Sequence, residues 1–224
     1  MPYPYNVYDL AMERLGIFNF IKHNPLTHGY EYTKPDRATS LVSIINLNIT
    51  NIEGKTVLEI GCGGGNVACR FAEARAKVYG FDRNKTLVDL AGMLSHELIE
   101  EDVFKKEYKP TFFQGEYIYR IFARRWWQKP FEFVMPYLTY ILSSRTIKNM
   151  ENACVKADDV DIWYSYPWLD EKRLMMGMFR HYAKKGALLA MKTGNKNDSF
   201  TQKSFPELQM HNASIGEFDF WIKT

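Results

Sequence analysis

The sequence predicts an α/β fold built on a parallel sheet, and two observations carry that prediction. Short apolar runs at 55–60 and 78–82 alternate with helix-periodic stretches at 66–76 and from about 84 to 98. The first run passes straight into Gly61-Cys62-Gly63-Gly64-Gly65, a turn that joins a buried strand to a helix. Strand–helix–strand–helix over 55–100 requires parallel strands joined by right-handed crossovers. A length of 224 residues suits one domain with an insertion, so a single domain over 1–224 is expected.

The elements follow in order. Val7, Leu10, Ala11, Leu15, Phe18 and Ile21 recur at helical spacing and predict one amphipathic helix near the N-terminus. Asn24-Pro25 breaks it, and a loop carrying His28, Gly29, Tyr30, Glu31 and Tyr32 follows. Asp36 is the expected N-cap of a helix over 36–48 that buries Leu41, Val42, Ile44 and Ile45. Helix 66–76 places Val67, Ala68, Phe71 and Ala72 on one face. The helix capped near Asn84 repeats Leu87, Leu90, Ala91, Leu94 and Leu98 at spacings of three and four. Residues 111–116 read as a third strand and 160–168 as a further one, closed by Pro167. A helix over 169–185, a strand over 187–192 and a closing hairpin at 207–212 and 218–223 complete the chain.

Composition narrows the function classes. Hydrophobic residues make up 46% and charged residues 25%, the balance of an ordinary globular protein rather than a disordered one. No apolar run is long enough to span a bilayer, and the N-terminus lacks the basic-then-apolar pattern of a signal peptide. A cytoplasmic protein is expected, and the Asn-x-Ser/Thr matches at Asn48, Asn84, Asn197 and Asn212 are then chance. Cys62, Cys69 and Cys154 are too few and too scattered for a disulfide framework or a zinc site, and no metal is expected. A net charge of +3 gives no argument for nucleic acid from the total.

The chemistry lies in Glu59, the glycines and Asp82. A glycine-rich turn at a helix N-terminus lets a ligand approach the backbone. An acid at the end of the next strand can accept hydrogen bonds from two ribose hydroxyls. A tight turn alone accounts for the glycines but for neither acid. Together these residues point to an adenosine-containing ligand at the carboxyl edge of the sheet. A dinucleotide turn wants Gly-x-Gly-x-x-Gly; counted from Gly61 the sixth position is Asn66, but counted from Gly63 it is Ala68, a permitted variant. Spacing therefore leaves NAD open. Glu59 argues the other way, because a carboxylate just before the first glycine repels a pyrophosphate and suits a ligand with ammonium and sulfonium charges.

Val57-Leu-Glu-Ile-Gly-Cys-Gly-Gly-Gly65 and Gly80-Phe-Asp82 resemble the first two motifs of class I methyltransferases that use S-adenosylmethionine (SAM). The resemblance covers 52–100 and extends over 155–224. It implies a doubly wound, mostly parallel seven-stranded sheet with the last strand antiparallel, a helical N-terminal lid over 1–50 and a helical cap inserted at 117–150. It implies that Gly61, Cys62, Gly63 and Gly65 border the methionine part of SAM, with Cys62 a small filler rather than a nucleophile. Glu59 would face the ammonium, directly or through water. Asp82 would bind the ribose and Arg83 would border the adenine. Glu116 or Gln114 would reach the adenine amino group, and Tyr32 or Tyr30 would fold over the cofactor.

The acceptor should be bound at the end of the fourth strand, where Tyr164, Tyr166 and Trp168 are the candidate pocket residues. Ser165-Tyr166-Pro167-Trp168 resembles the Asp/Asn-Pro-Pro-aromatic motif of enzymes that methylate base amines, but it lacks the carboxylate or amide that polarises the amine. That departure argues against base methylation. His28, His181 and His211 are candidate bases that sit in no recognisable motif. The 34 residues of 117–150 hold six basic side chains, one acid and nine aromatics, including Trp126-Trp127. That mixture suits single-stranded nucleic acid, a lid over an anionic or aromatic small molecule, a homodimer contact or a solvated helical cap. A small-molecule acceptor is the first expectation. A nucleic-acid or protein acceptor is the second, and a SAM-binding partner without activity the third.

Overall fold

The computed structural model describes residues 5–23, 33–115, 155–166, 172–192, 207–211 and 218–224. The expected contacts of Tyr30, Tyr32, Glu116 and Trp168, the base candidate His28, and the cap at 117–150 lie outside those residues. The chain divides into two compact units, 1–114 and 115–224. Among the described residues no helix is long and apolar enough to cross a membrane.

The first unit begins with helices α1 (Tyr5–Arg14) and α2 (Ile17–His23). The single amphipathic helix expected here is two, because Gly16 adopts φ +67° and ends the first. Helix α3 (Pro35–Ile44) follows. Its N-cap is Lys34 rather than Asp36: Pro35 takes the first helical position, where its missing N–H costs nothing, and Asp36 falls in the first turn. Leu41 and Ile45 are buried, whereas Val42 and Ile44 are only partly so. The helix continues over Ile45–Ile49 as a π-helix, so helical backbone ends within a residue of the expected 48. There the Asn48 side chain donates to the Ile44 carbonyl, competing with the helical ladder, and Asn46 Oδ1 accepts from the Ile52 N–H just past the helix end.

Strand β1 (Thr56–Ile60), helix α4 (Asn66–Glu73), strand β2 (Lys77–Asp82), helix α5 (Lys85–Glu100) and strand β3 (Thr111–Gln114) complete the unit. β1 pairs parallel with β2, Glu59 opposite Gly80, and β2 pairs parallel with β3, Asp82 opposite Gln114. Asn66 to Ala72 are all buried, so α4 is enclosed all round rather than on one face. The Asn84 side chain caps α5, accepting from the Thr86 and Leu87 N–H groups at 3.0 and 3.4 Å. A cap of this kind stabilises a helix by about 1 kcal/mol. Tyr8 of α1 lies under the Arg70 guanidinium, 3.5 Å from the ring centroid, and its hydroxyl donates to Glu73 Oε2 at 3.0 Å. Arg70 also donates to Glu73 Oε2 at 2.8 Å, so one buried cluster holds α1 on α4.

The second unit contains strand β4 (Ile162–Ser165), helix α6 (Lys172–Tyr182) and strands β5 (Leu188–Lys192), β6 (Leu208–Met210) and β7 (Phe218–Lys223). β4 and β5 pair in parallel, and every residue of both is buried, as strands covered on two faces require. Trp163 meets Phe179 of α6 edge-on, with ring centroids 6.0 Å apart. β7 runs antiparallel to both β5 and β6, which is the expected closing hairpin and antiparallel final strand. The seven-stranded sheet has the order β3-β2-β1-β4-β5-β7-β6.

Candidate functional site

The site in the first unit is built where β1 ends. The N–H groups of Gly61 and Cys62 both donate to the Phe81 carbonyl, at 2.9 and 3.1 Å, and tie the glycine turn to β2. Gly61, Gly63 and Gly65 all have positive φ, a backbone conformation that side chains oppose. A Cβ on Gly65 would lie 2.7 Å from Ala91 Cβ, so this residue also brings the start of α4 close to α5. Ile17 of α2 packs against Gly64, which sets the N-terminal segment on the turn.

Asp82 closes the arrangement. Its Oδ2 accepts the Gly63 N–H at 3.1 Å and its Oδ1 accepts the Asn84 N–H at 2.9 Å. One carboxylate therefore orders both the glycine turn and the start of α5. Asp82 is 4% exposed, and burial raises its pKa although both N–H groups and Arg83 favour the ionised form. Glu59 is 3% exposed, and burial pushes its pKa up well above the carboxylate range; the Ala68 N–H opposes that shift and the charge of Asp82 adds to it. Its Oε2 has no hydrogen-bond partner. Asn66, at the first position of α4, donates to the Thr33 carbonyl while its buried Oδ1 has no partner. The turn is thus flanked by two buried carboxylates, which a neighbouring cation would stabilise, and by two buried oxygens without partners. Such a place attracts ammonium and hydroxyl donors and repels phosphate.

A family model described as a methyltransferase domain matches residues 34–218. The chain belongs to this methyltransferase family. No curated protein sequence gives a significant match. Among solved structures, the methyltransferase is similar to an O-methyltransferase from Bacillus cereus in complex with SAH, at 10% identity and TM-score 0.60, covering 98% of this chain and 91% of that one. It is also similar to the magnesium protoporphyrin IX methyltransferase of Synechocystis with bound SAM, at 13% identity and TM-score 0.56, covering 92% and 94%. A methyltransferase from Geobacter sulfurreducens gives 13% identity and TM-score 0.54, covering 100% and 90%. At these identities the likeness is one of fold.

The other predicted residues of the methyltransferase fall as follows. Arg83 is exposed beside Asp82, and Gln114 Nε2 donates to its carbonyl at 3.1 Å, so Gln114 stands at the Asp82 end of the turn. Cys62 is buried, its Sγ 3.9 Å from the Gly63 carbonyl, and burial raises its pKa, which keeps it a thiol rather than a nucleophilic thiolate. In the second unit Tyr164 is buried within β4, while Tyr166 stands half-buried one residue past its end. His181 is exposed near the end of α6, and His211 follows β6. Sequence reasoning missed Asn66, whose unpartnered oxygen has no motif to announce it. It also missed Lys192, which reads as the polar end of a strand but is buried over the Tyr166 ring.

Proposed function

We propose that the protein transfers a methyl group from SAM to a nitrogen or oxygen atom of a small-molecule acceptor. The observation that carries this reading is the buried pair Glu59 and Asp82 around the glycine turn, with Glu59 Oε2 unpartnered. The ammonium and the vicinal diol of SAM offer hydrogen-bond donors to those oxygens, and its sulfonium adds positive charge near the two carboxylates. When bound, SAM supplies a methyl group already activated as part of a sulfonium, so the protein's task is alignment and exclusion of water. Asp82 accepts from the ribose hydroxyls. Glu59 and Asn66 Oδ1 receive the ammonium, directly or through water, while Gly61, Cys62, Gly63 and Gly65 let the methionine chain lie on the backbone. Arg83 and Gln114 border the adenine, with Glu116 the alternative to Gln114 and Tyr32 a covering contact. Tyr166 and Trp168, with Tyr164 behind them, line the acceptor side. A general base is needed only if the acceptor must lose a proton.

We take both units as one catalytic domain, supported by the family match, which runs through both, and we place the protein in the cytoplasm. The test is incubation with methyl-tritiated SAM and an extract of cells that make the protein. Label is expected in the small-molecule fraction. Label in RNA or protein instead would favour the alternative read from the basic, aromatic segment 117–150, and a salt-sensitive complex with RNA would support it further. No label in any fraction, with SAM bound, would leave a SAM-binding partner protein.

A further inference from the structure

The N-terminal helices are seated on α4 and on the glycine turn. Tyr8 of α1 is held by Arg70 and Glu73, in the second half of α4. Ile17 of α2 lies against Gly64. α3 packs along α4, and Thr33, two residues before α3 begins, accepts a hydrogen bond from Asn66 Nδ2 through its carbonyl. Asn66 is the first residue of α4 and follows Gly65 directly, so this contact meets the turn itself.

Asn66 differs from the Tyr8 and Ile17 contacts because half of its amide is left over. A carbonyl oxygen only accepts, so Thr33 fixes the amide with Nδ2 toward itself and Oδ1 turned away. That oxygen is buried and, among the described residues, has no hydrogen-bond partner. Glu59 presents a second such oxygen to the same turn of helix. Its carboxylate accepts the Ala68 N–H, two residues after Asn66, and its Oε2 has no partner among the described residues. A buried acceptor without a donor is unfavourable, so both oxygens call for one. A primary ammonium carries three N–H donors, enough for both. Positive charge at Oδ1 also polarises the amide and makes its Nδ2–H a stronger donor to Thr33.

We propose that Asn66 is a positioning residue that couples occupancy of the glycine turn to the seating of α3. A donor bound at Oδ1 strengthens the Nδ2 bond to Thr33, and a seated α3 in turn holds Oδ1 ready for the donor, since coupling between two contacts is reciprocal. This rests on the proposed methyl transfer for the identity of the donor, the ammonium of SAM, but not for the link between Asn66 and α3.

The test is amide hydrogen exchange, read by mass spectrometry, on the full chain with and without saturating SAH, which carries the same ammonium. In the wild type SAH should slow exchange in the glycine turn and α4, and should also slow it about fivefold to tenfold in α3, the size expected of one strengthened hydrogen bond. In Asn66→Leu, SAH should still slow exchange in the turn and at the start of α5, while the response of α3 is lost. Tyr8→Phe, which removes a contact made without any ligand, should raise exchange in α1 equally with and without SAH and keep the response of α3. No response of α3 in the wild type, a response that survives Asn66→Leu, or one lost in Tyr8→Phe as well would overturn the proposal. The wild type and Tyr8→Phe decide the matter if Asn66→Leu does not fold. Calorimetry with SAH separates the two claims: absence of SAH binding counts against methyl transfer, whereas SAH binding with protection confined to the turn, α4 and α5 counts against the role of Asn66.

Discussion

Glu59 is an acid placed where an acid is unfavourable without a cation. Burial and the charge of Asp82 both raise its pKa, and burial raises that of Asp82. With folded values above unfolded ones, the folded chain holds more protons than the unfolded chain. These two groups therefore favour the fold below the unfolded carboxylate range, about pH 4, and that contribution is lost as pH rises through the raised folded values. A cationic ligand favours the ionised forms, so SAM binding should strengthen across the same window. Glu59→Gln should remove part of the destabilisation, so that its melting temperature rises relative to wild type as pH increases from about 4. The same change should weaken SAM binding about tenfold or more, as loss of a charge-assisted contact does. Parallel melting curves at every pH, with unchanged SAM affinity, would contradict this role. Asp82→Ala should weaken SAM binding about a hundredfold, because it removes both the proposed ribose acceptor and the group that orders Gly63 and Asn84. Both acids were readable from the sequence because each sits at a set position relative to a strand end. Lys192 was not, since nothing in a one-dimensional pattern distinguishes a buried lysine from an exposed one.

The elements differ in how plainly the sequence announces them. β1, α4, β2 and α5 are marked by an abrupt passage from apolar run to glycine turn to helical spacing, and their observed bounds differ from expectation by three residues or fewer. The N-terminal helix was misread as one because its apolar residues keep phase across Gly16, and periodicity does not register a residue at φ +67°. The helix after Pro35 was read as ending near 48 and helical backbone does run to Ile49, but its last turn is a π-helix, a change of ladder that spacing alone does not show. Gly80 links strand and site. A Cβ there would lie 2.8 Å from Phe112 Cδ1 and 3.0 Å from Cys62 Cβ, so its absence lets β3 and the glycine turn close on β2. Gly80→Ala should lower stability by about 1–3 kcal/mol, the usual size of an overpacking effect, measured by denaturant unfolding. It should also weaken SAM binding by displacing the turn. A variant as stable as wild type would show that the contact relaxes without consequence.

At the scale of the whole molecule, alternating strands and helices were enough to predict a parallel sheet. The short strands β3 and β6, four and three residues long, were still legible as a third strand and as half of a closing hairpin, while their membership of one seven-stranded sheet came only with the family resemblance. The order β3-β2-β1-β4-β5-β7-β6 could not have been derived from periodicity, which says nothing of which strands are neighbours. The basic, aromatic segment 117–150 lies outside the described residues, and its expected part is to shape the acceptor pocket. Deleting it should abolish methyl transfer while leaving SAM binding intact; retained turnover would remove it from the acceptor site.

The central claim is that the glycine turn with Glu59 and Asp82 holds SAM. Isothermal titration of the full-length protein with SAM, and separately with NAD, tests it most directly. The account predicts saturable one-site binding of SAM, weakened in Asp82→Ala, and no uptake of NAD. Tight binding of NAD with no heat from SAM would contradict it.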